Sequence, residues 1–295
     1  MRARSPPGAA GEVLRSGDVF VHGVLPRSGT NYLARALRCH PALSASPRRI
    51  WEFPHLRNSD PLVTYARAMA RAPKLPGLEE DDVLALVGDA WLEWASAGIP
   101  AGQRIVLKEP SVRNLDRFPR FFPRSHLIVL MRDGRDIACS SLRTSFAKPP
   151  AFHIFHPRTY RRVFRGPIEE LASRWRDASR GVRAFLETPG AGERARVVRF
   201  EDLVREPEAQ IRGILEFLHL PHEDFAWSAL AAIGVRGSSF VGEPAEGLDW
   251  SGEEAASEGF DPVGRWRSWT RSEARRFHAV AAEELAHWGY ADAGV

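Results

Sequence analysis

Four short apolar runs, VFVHGVL (19–25), RIVLK (104–108), HLIVLM (126–131) and ARVVRF (195–200), alternate with longer segments of helical periodicity. The helical segments are Gly29–Cys39, Glu79–Ser96, Leu115–Phe122, Arg135–Leu142, Pro167–Leu186 and Pro207–His219. Beyond the last run only helices and loops remain, ending in SEARRFHAVAAEELAHWGY (272–290). Runs this short and rich in Val, Ile or Leu read as buried strands. Strands separated by helices imply right-handed crossovers and a parallel sheet covered on both faces. The expectation is an α/β fold, a P-loop-like parallel sheet flanked by helices, in one domain spanning residues 18–291. Ligands of such sheets bind beyond the carboxyl ends of the strands. That rule selects the loops Pro26–Thr30, Lys108–Pro110 and Arg132–Asp136, each directly after a strand.

The first of these loops has strand–loop–helix architecture but departs from the triphosphatase pattern GxxxxGK[ST]. From Gly23 to Gly29 the spacing is one residue too long, and Thr30 stands where the lysine belongs. Backbone N–H groups at a helix start, the Ser28 and Thr30 hydroxyls and the Arg27 guanidinium still suit a phosphate or sulfate. The bland reading is a glycine-permitted turn with a hydroxyl cap. In MRDGRDIACSS, Arg132 ends a strand and Ser140 follows eight residues later inside a helix. Asp133 and Asp136 either take part in the site or cap that helix and pair with Arg135.

Composition narrows the classes. An apolar fraction of 44% suits a globular chain, and no run of about 18 apolar residues spans a bilayer. Residues 1–17 contain Arg but no apolar central region, so they read as a disordered leader and the expected home is cytoplasmic. The net charge of +4 comes from scattered basic residues set against 37 acids, which argues against a nucleic-acid partner. Of 41 basic residues only Lys74, Lys108 and Lys148 are lysines, so a lysine at a strand end hints at a need for a compact ammonium. Cys39 and Cys139 fall in helical segments and read as buried thiols. The sequence contains no metal-ligand cluster.

PRSGTNYL, KEP, RDGRDIACSS, FEDLVREP, GSSF and VGRWRSW, in this order from about Asp18 to Tyr290, resemble the sulfotransferases that use 3′-phosphoadenosine 5′-phosphosulfate (PAPS). The resemblance implies PAPS as co-substrate, a hydroxyl-bearing acceptor and no metal. Arg27, Ser28, Gly29, Thr30 and Asn31 would hold the 5′-phosphosulfate. Arg132 and Ser140 would grip the 3′-phosphate, and Tyr32 would stack on adenine with Ser239 and Phe240 nearby. Gly264 and Arg265 would belong to a nucleotide-side loop (238–267) that closes over the 3′-phosphate. Arg27 and Lys108 would stabilise the leaving oxygen. PAPS lacks the β,γ-phosphate pair served by a P-loop lysine and Mg²⁺, which accounts for the departure at Thr30.

Cytosolic small-molecule sulfotransferases place a catalytic histidine two residues after this lysine, where this chain has Pro110. The tyrosylprotein branch has Lys-Asp-Pro here and takes its base from a glutamate after the first helix. The chain resembles that branch more, through Lys108-Glu109-Pro110, MRDGR and Glu52 in RRIWEFPHL. Glu52, between the aromatic Trp51 and Phe53, is the favoured general base, with Glu109, His153 and His156 as alternatives. Residues 144–167, with Phe152, Phe155, Tyr160 and Phe164 among basic residues, read as an acceptor-side lid. Their bland reading is a loop packed on the domain or on a partner subunit, which leaves an oligomer open. Residues 53–76 are a second candidate wall, whereas Trp288 and Tyr290 read as core. The competing classes are a nucleotide-dependent small-molecule kinase and a catalytically inactive nucleotide-binding scaffold.

Overall fold

The computed structural model describes residues 17–50, 52–147, 168–233 and 261–290. The four apolar runs form strands β1 (Val19–Gly23), β3 (Arg104–Glu109), β4 (His126–Met131) and β5 (Ala195–Arg199). A two-residue strand, β2 (Leu43–Ser44), adds an edge. All pairings are parallel, in the order β2-β3-β1-β4-β5. From β1 the chain first moves outward to β2 and returns to β3, then crosses to β4 and β5 on the other side. The carboxyl end of β1 therefore lies where the winding reverses, the usual ligand site of an open α/β sheet.

Strand alternation sorts the two faces. Val19, Val21, Val106, Ile128 and Leu130 pack with Leu33, Leu37, Ile211 and Ile214. This face is covered by α1 (Thr30–Leu37) and by the helices Phe200–Arg205, Pro207–Phe217 and Trp227–Ala232. Phe20, Ile105, Leu107 and Val129 join the opposite core with Phe118, Phe122, Trp175 and Phe277. That core lies beneath the helices Asp60–Ala70, Glu80–Ser96, Gly134–Ala147, Ile168–Leu186 and Arg271–His287. Asp60–Ala70 lies inside the segment read from sequence only as a wall. It starts with Pro61 in its first turn, where a missing N–H costs nothing.

The first helix ends at Leu37, so Cys39 sits in the turn after it. Cys39 is half-buried and Cys139 buried, and neither forms a disulfide among the described residues. Tyr290 is buried and Trp288 packs against the core, in keeping with their reading as core residues. No helix among the described residues is long and apolar enough to cross a membrane.

Candidate active site

The loop from β1 to α1 is a strained turn held from several sides. Arg27 has φ 79° and Gly29 φ 96°, the left-handed region that side chains disfavour. Gly29 has a second reason to lack a side chain, because a Cβ there would stand 2.4 Å from the ring of Phe200. The Ser28 hydroxyl turns inward, donating to the Leu25 carbonyl at 2.6 Å and accepting from the Leu25 amide at 3.2 Å. It braces the turn from inside. Thr30 begins α1 and its methyl lies against Gly23, where a Cβ would approach to 2.9 Å. Tyr32 is half-buried against the α1-side core.

Arg132, at the end of β4, is tied to this loop. One terminal nitrogen donates to the Arg27 carbonyl and the other to the Pro262 carbonyl, both at 2.6 Å. Its guanidinium lies 4.4 Å from the Phe200 ring centroid. Arg132 is only 5% exposed, yet its Nε has no hydrogen-bond partner among the described residues. Burial lowers its proton affinity, offset by the charges of Asp136 and Glu201. A buried cation with an unmade hydrogen bond costs stability. Arg27 reaches in the same direction, its Nε donating to Ser140 Oγ at 3.0 Å. Gly264 and Arg265 join this group, for Asp136 accepts from the Gly264 amide at 2.7 Å and the charge of Arg265 acts on Arg132.

The acids of RDGRD divide their work. Asp133 pairs with Arg135 at 2.7 Å, the bland reading. Asp136 instead reaches out of its helix to the loop around Gly264. Arg135 also donates to the Tyr290 carbonyl at 2.6 Å and lies over the Trp266 ring at 3.7 Å. Glu201 accepts from the Asp133 amide and from the Tyr290 hydroxyl, each at 2.9 Å. Sequence reasoning missed Glu201 and Tyr290 as braces of this site. FEDLVREP was visible as a motif, but its partners stand 68 and 89 residues away.

The end of β3 supplies a second charged cluster. Lys108 follows Val106 by two and lies on the α1 face, in register with Val21. Glu109 lies on the other face, in register with His22. Burial pulls Lys108 down to about 8, against the opposing pull of Glu52 and Glu109. Glu109 is 1% exposed, and burial raises it to about 7 despite Arg57, whose Nε lies 3.4 Å away. The Phe53 amide donates to the Lys108 carbonyl at 2.9 Å, which fastens the half-buried Glu52 beside the lysine. His22 is fully buried, bonds to the Ser111 carbonyl at 2.7 Å and is lowered to about 4 by desolvation. Ser239, Phe240, Trp51, His153, His156 and the other named residues of segment 148–167 lie outside the described residues.

Comparison with known proteins follows the same lines. The family model described as "Sulfotransferase family" matches residues 18–224. Protein-tyrosine sulfotransferase 1 of Danio rerio is 23% identical over 284 residues, covering 92% of this chain and 72% of that protein. The sulfotransferase domain from the Synechococcus PCC 7002 olefin synthase superposes with a TM-score of 0.53 at 21% identity, covering 96% of this chain and 98% of that one. Mouse sulfotransferase SULT7A1 complexed with PAP superposes with a TM-score of 0.50 at 14% identity, covering 92% and 84%.

Proposed function

Because this chain belongs to the sulfotransferase family, we propose that it moves the sulfuryl group of PAPS to the hydroxyl of an acceptor. The observation that carries the choice of donor is the buried guanidinium of Arg132, with its unpartnered Nε, beside Arg27 and Ser140. Such a group suits a second phosphate beside the one at the helix start. The presence of PAP in the mouse sulfotransferase is consistent with this nucleotide.

PAPS supplies an activated sulfuryl group whose bond to the bridging oxygen breaks as the acceptor oxygen attacks in line. The work of the chain is positioning and charge. The loop Arg27–Asn31 holds the transferring end, with Ser28 keeping the turn closed. Lys108 meets the charge that builds on the leaving oxygen; with a pKa of about 8 it remains mostly protonated at pH 7. Arg27 adds a second cation. Arg132 and Ser140 hold the 3′-phosphate, and Arg265 covers it. Tyr32 offers the ring against adenine. Glu52, fixed at the lysine by the Phe53–Lys108 bond, takes the acceptor's proton. Glu109, too buried to touch an acceptor in this conformation, shapes the field around Lys108 from the other face of the sheet.

The test is transfer of labelled sulfuryl from PAPS to a panel of phenols, alcohols, sugars and tyrosine peptides. Transfer to any class that disappears in Lys108→Ala supports the proposal. Tight PAPS binding with no transfer across the panel would favour an inactive scaffold.

A further inference from the structure

A first-turn aspartate ordinarily caps or favours its own helix start. Asp136 is in the first turn of Gly134–Ala147 but spends its two oxygens elsewhere. Oδ2 accepts from the Gly264 amide at 2.7 Å and Oδ1 from the Trp266 amide at 3.1 Å, contacts that span 128 and 130 residues of chain. The side chain is 0% exposed. A carboxylate so deeply buried needs donors and positive charge around it. Here these are the two amides and the nearby guanidinium of Arg132.

The two amides flank one residue, Arg265. On one side Gly264 takes φ 75°, a conformation suited to glycine. On the other, Trp266 is buried beneath the Arg135 guanidinium at 3.7 Å. The Arg267 amide closes the turn onto the Gly264 carbonyl at 3.1 Å. Arg132 reaches the same loop through the Pro262 carbonyl. The charge of Arg265 also acts on Arg132, so the two guanidinium groups belong to one neighbourhood. Asp136 holds the turn from both sides of Arg265.

We propose that Asp136 is a positioning residue whose carboxylate, by fixing the Gly264–Trp266 turn, presents Arg265 to the same anion as Arg132 and so sets the preference for a 3′-phosphate. The inference rests on the nucleotide reading above. Holding both neighbours of Arg265 lowers the ordering cost of gripping the ligand. The neutral isostere Asp136→Asn keeps the volume but sets an N–H₂ against one of the two amides.

Calorimetric binding of PAP and of adenosine 5′-phosphate gives the 3′-phosphate preference as a ratio. The wild-type ratio is expected to be about 30 or more. Asp136→Asn lowers it at least about fivefold, the loss of one well-placed charge-assisted bond. The KM for PAPS rises in step, whereas the KM for the acceptor does not. In the Arg265→Ala background, Asp136→Asn changes the ratio less than about twofold, because one act is removed twice. A wild-type ratio near one would overturn the nucleotide reading and the proposal together. A normal wild-type ratio that persists in Asp136→Asn, or equal effects with and without Arg265, would overturn the role of Asp136 alone. Should Asp136→Asn fail to fold, amide exchange in the wild type decides. Slow exchange at Gly264 and Trp266 without nucleotide supports a preformed turn, and unprotected exchange there contradicts it.

Discussion

Arg27 and Ser140, 113 residues apart, are joined by a 3.0 Å hydrogen bond from the arginine Nε to the serine hydroxyl. The bond ties the turn after β1 to the helix after β4, the two regions that the PAPS reading assigns to opposite ends of the nucleotide. Arg132 adds a second tie through the Arg27 carbonyl. The positive φ of Arg27 is strain of roughly 1 kcal/mol for a non-glycine residue, held in place by these contacts.

Arg132→Ala is expected to abolish most of the discrimination between PAPS and adenosine 5′-phosphosulfate. Its charge-assisted bonds to the 3′-phosphate should be worth at least about 2 kcal/mol. Competition binding of the two nucleotides to wild type and variant measures this directly. Full discrimination in the variant would remove Arg132 from the 3′-phosphate.

Gly29→Ala should damage the anion loop from two causes. Its φ of 96° penalises any side chain, and the new methyl would meet Phe200 at 2.4 Å. A loss of about 2 kcal/mol or more in stability is expected. Thermal denaturation reads it, and the double variant with Phe200→Ala should regain the clash component relative to Phe200→Ala alone. A Gly29→Ala protein as stable as wild type would contradict the turn geometry.

These strains explain what the sequence could and could not reveal. The four long strands were legible because Val, Ile and Leu crowd them, and the carboxyl-end rule then located Arg27, Lys108 and Arg132 together. β2 was illegible, since two residues carry no periodicity. Asp60–Ala70 lies inside the candidate wall 53–76, although Ser59-Asp60-Pro61 carries the pattern of a helix start. The inward turn of Ser28 and the reach of Asp136 to Gly264 depend on side-chain direction and on contacts across the chain. A linear pattern holds neither.

Lys108 and Glu52 should fail differently. Lys108→Ala is expected to lower turnover about 10²-fold or more for every acceptor, since the departing charge is the same whichever hydroxyl attacks. Lys108→Arg should recover little, because a planar fork does not fit a point-charge site. In the wild type kcat/KM should fall above pH about 8 as the ammonium is lost. Glu52→Gln should hurt weakly acidic alcohols most and phenols least, with nucleotide affinity nearly unchanged. Equal losses for both acceptor classes would remove Glu52 from the role of base.

Glu109 links the site to stability. Its pKa is raised, chiefly by burial, from 4.5 to about 7. Between these values the folded protein keeps a proton that the unfolded chain releases, so this residue's contribution to stability is lost as pH rises through that window. Glu109→Gln should flatten the pH dependence of Tm from pH 4.5 to 7.5, with the variant gaining on the wild type toward the upper end. Parallel Tm profiles would show that the carboxyl ionises as easily folded as unfolded.

Calorimetric titration of the nucleotide-free protein with PAP, set against ATP with Mg²⁺, tests the central claim of a PAPS-dependent transferase most directly. PAP should bind at one site per chain, and excess ATP with Mg²⁺ should displace it poorly, since the Arg132 site asks for a 3′-phosphate and Thr30 stands in place of the triphosphate lysine. ATP with Mg²⁺ binding as tightly as PAP, or PAP failing to bind, would contradict the account.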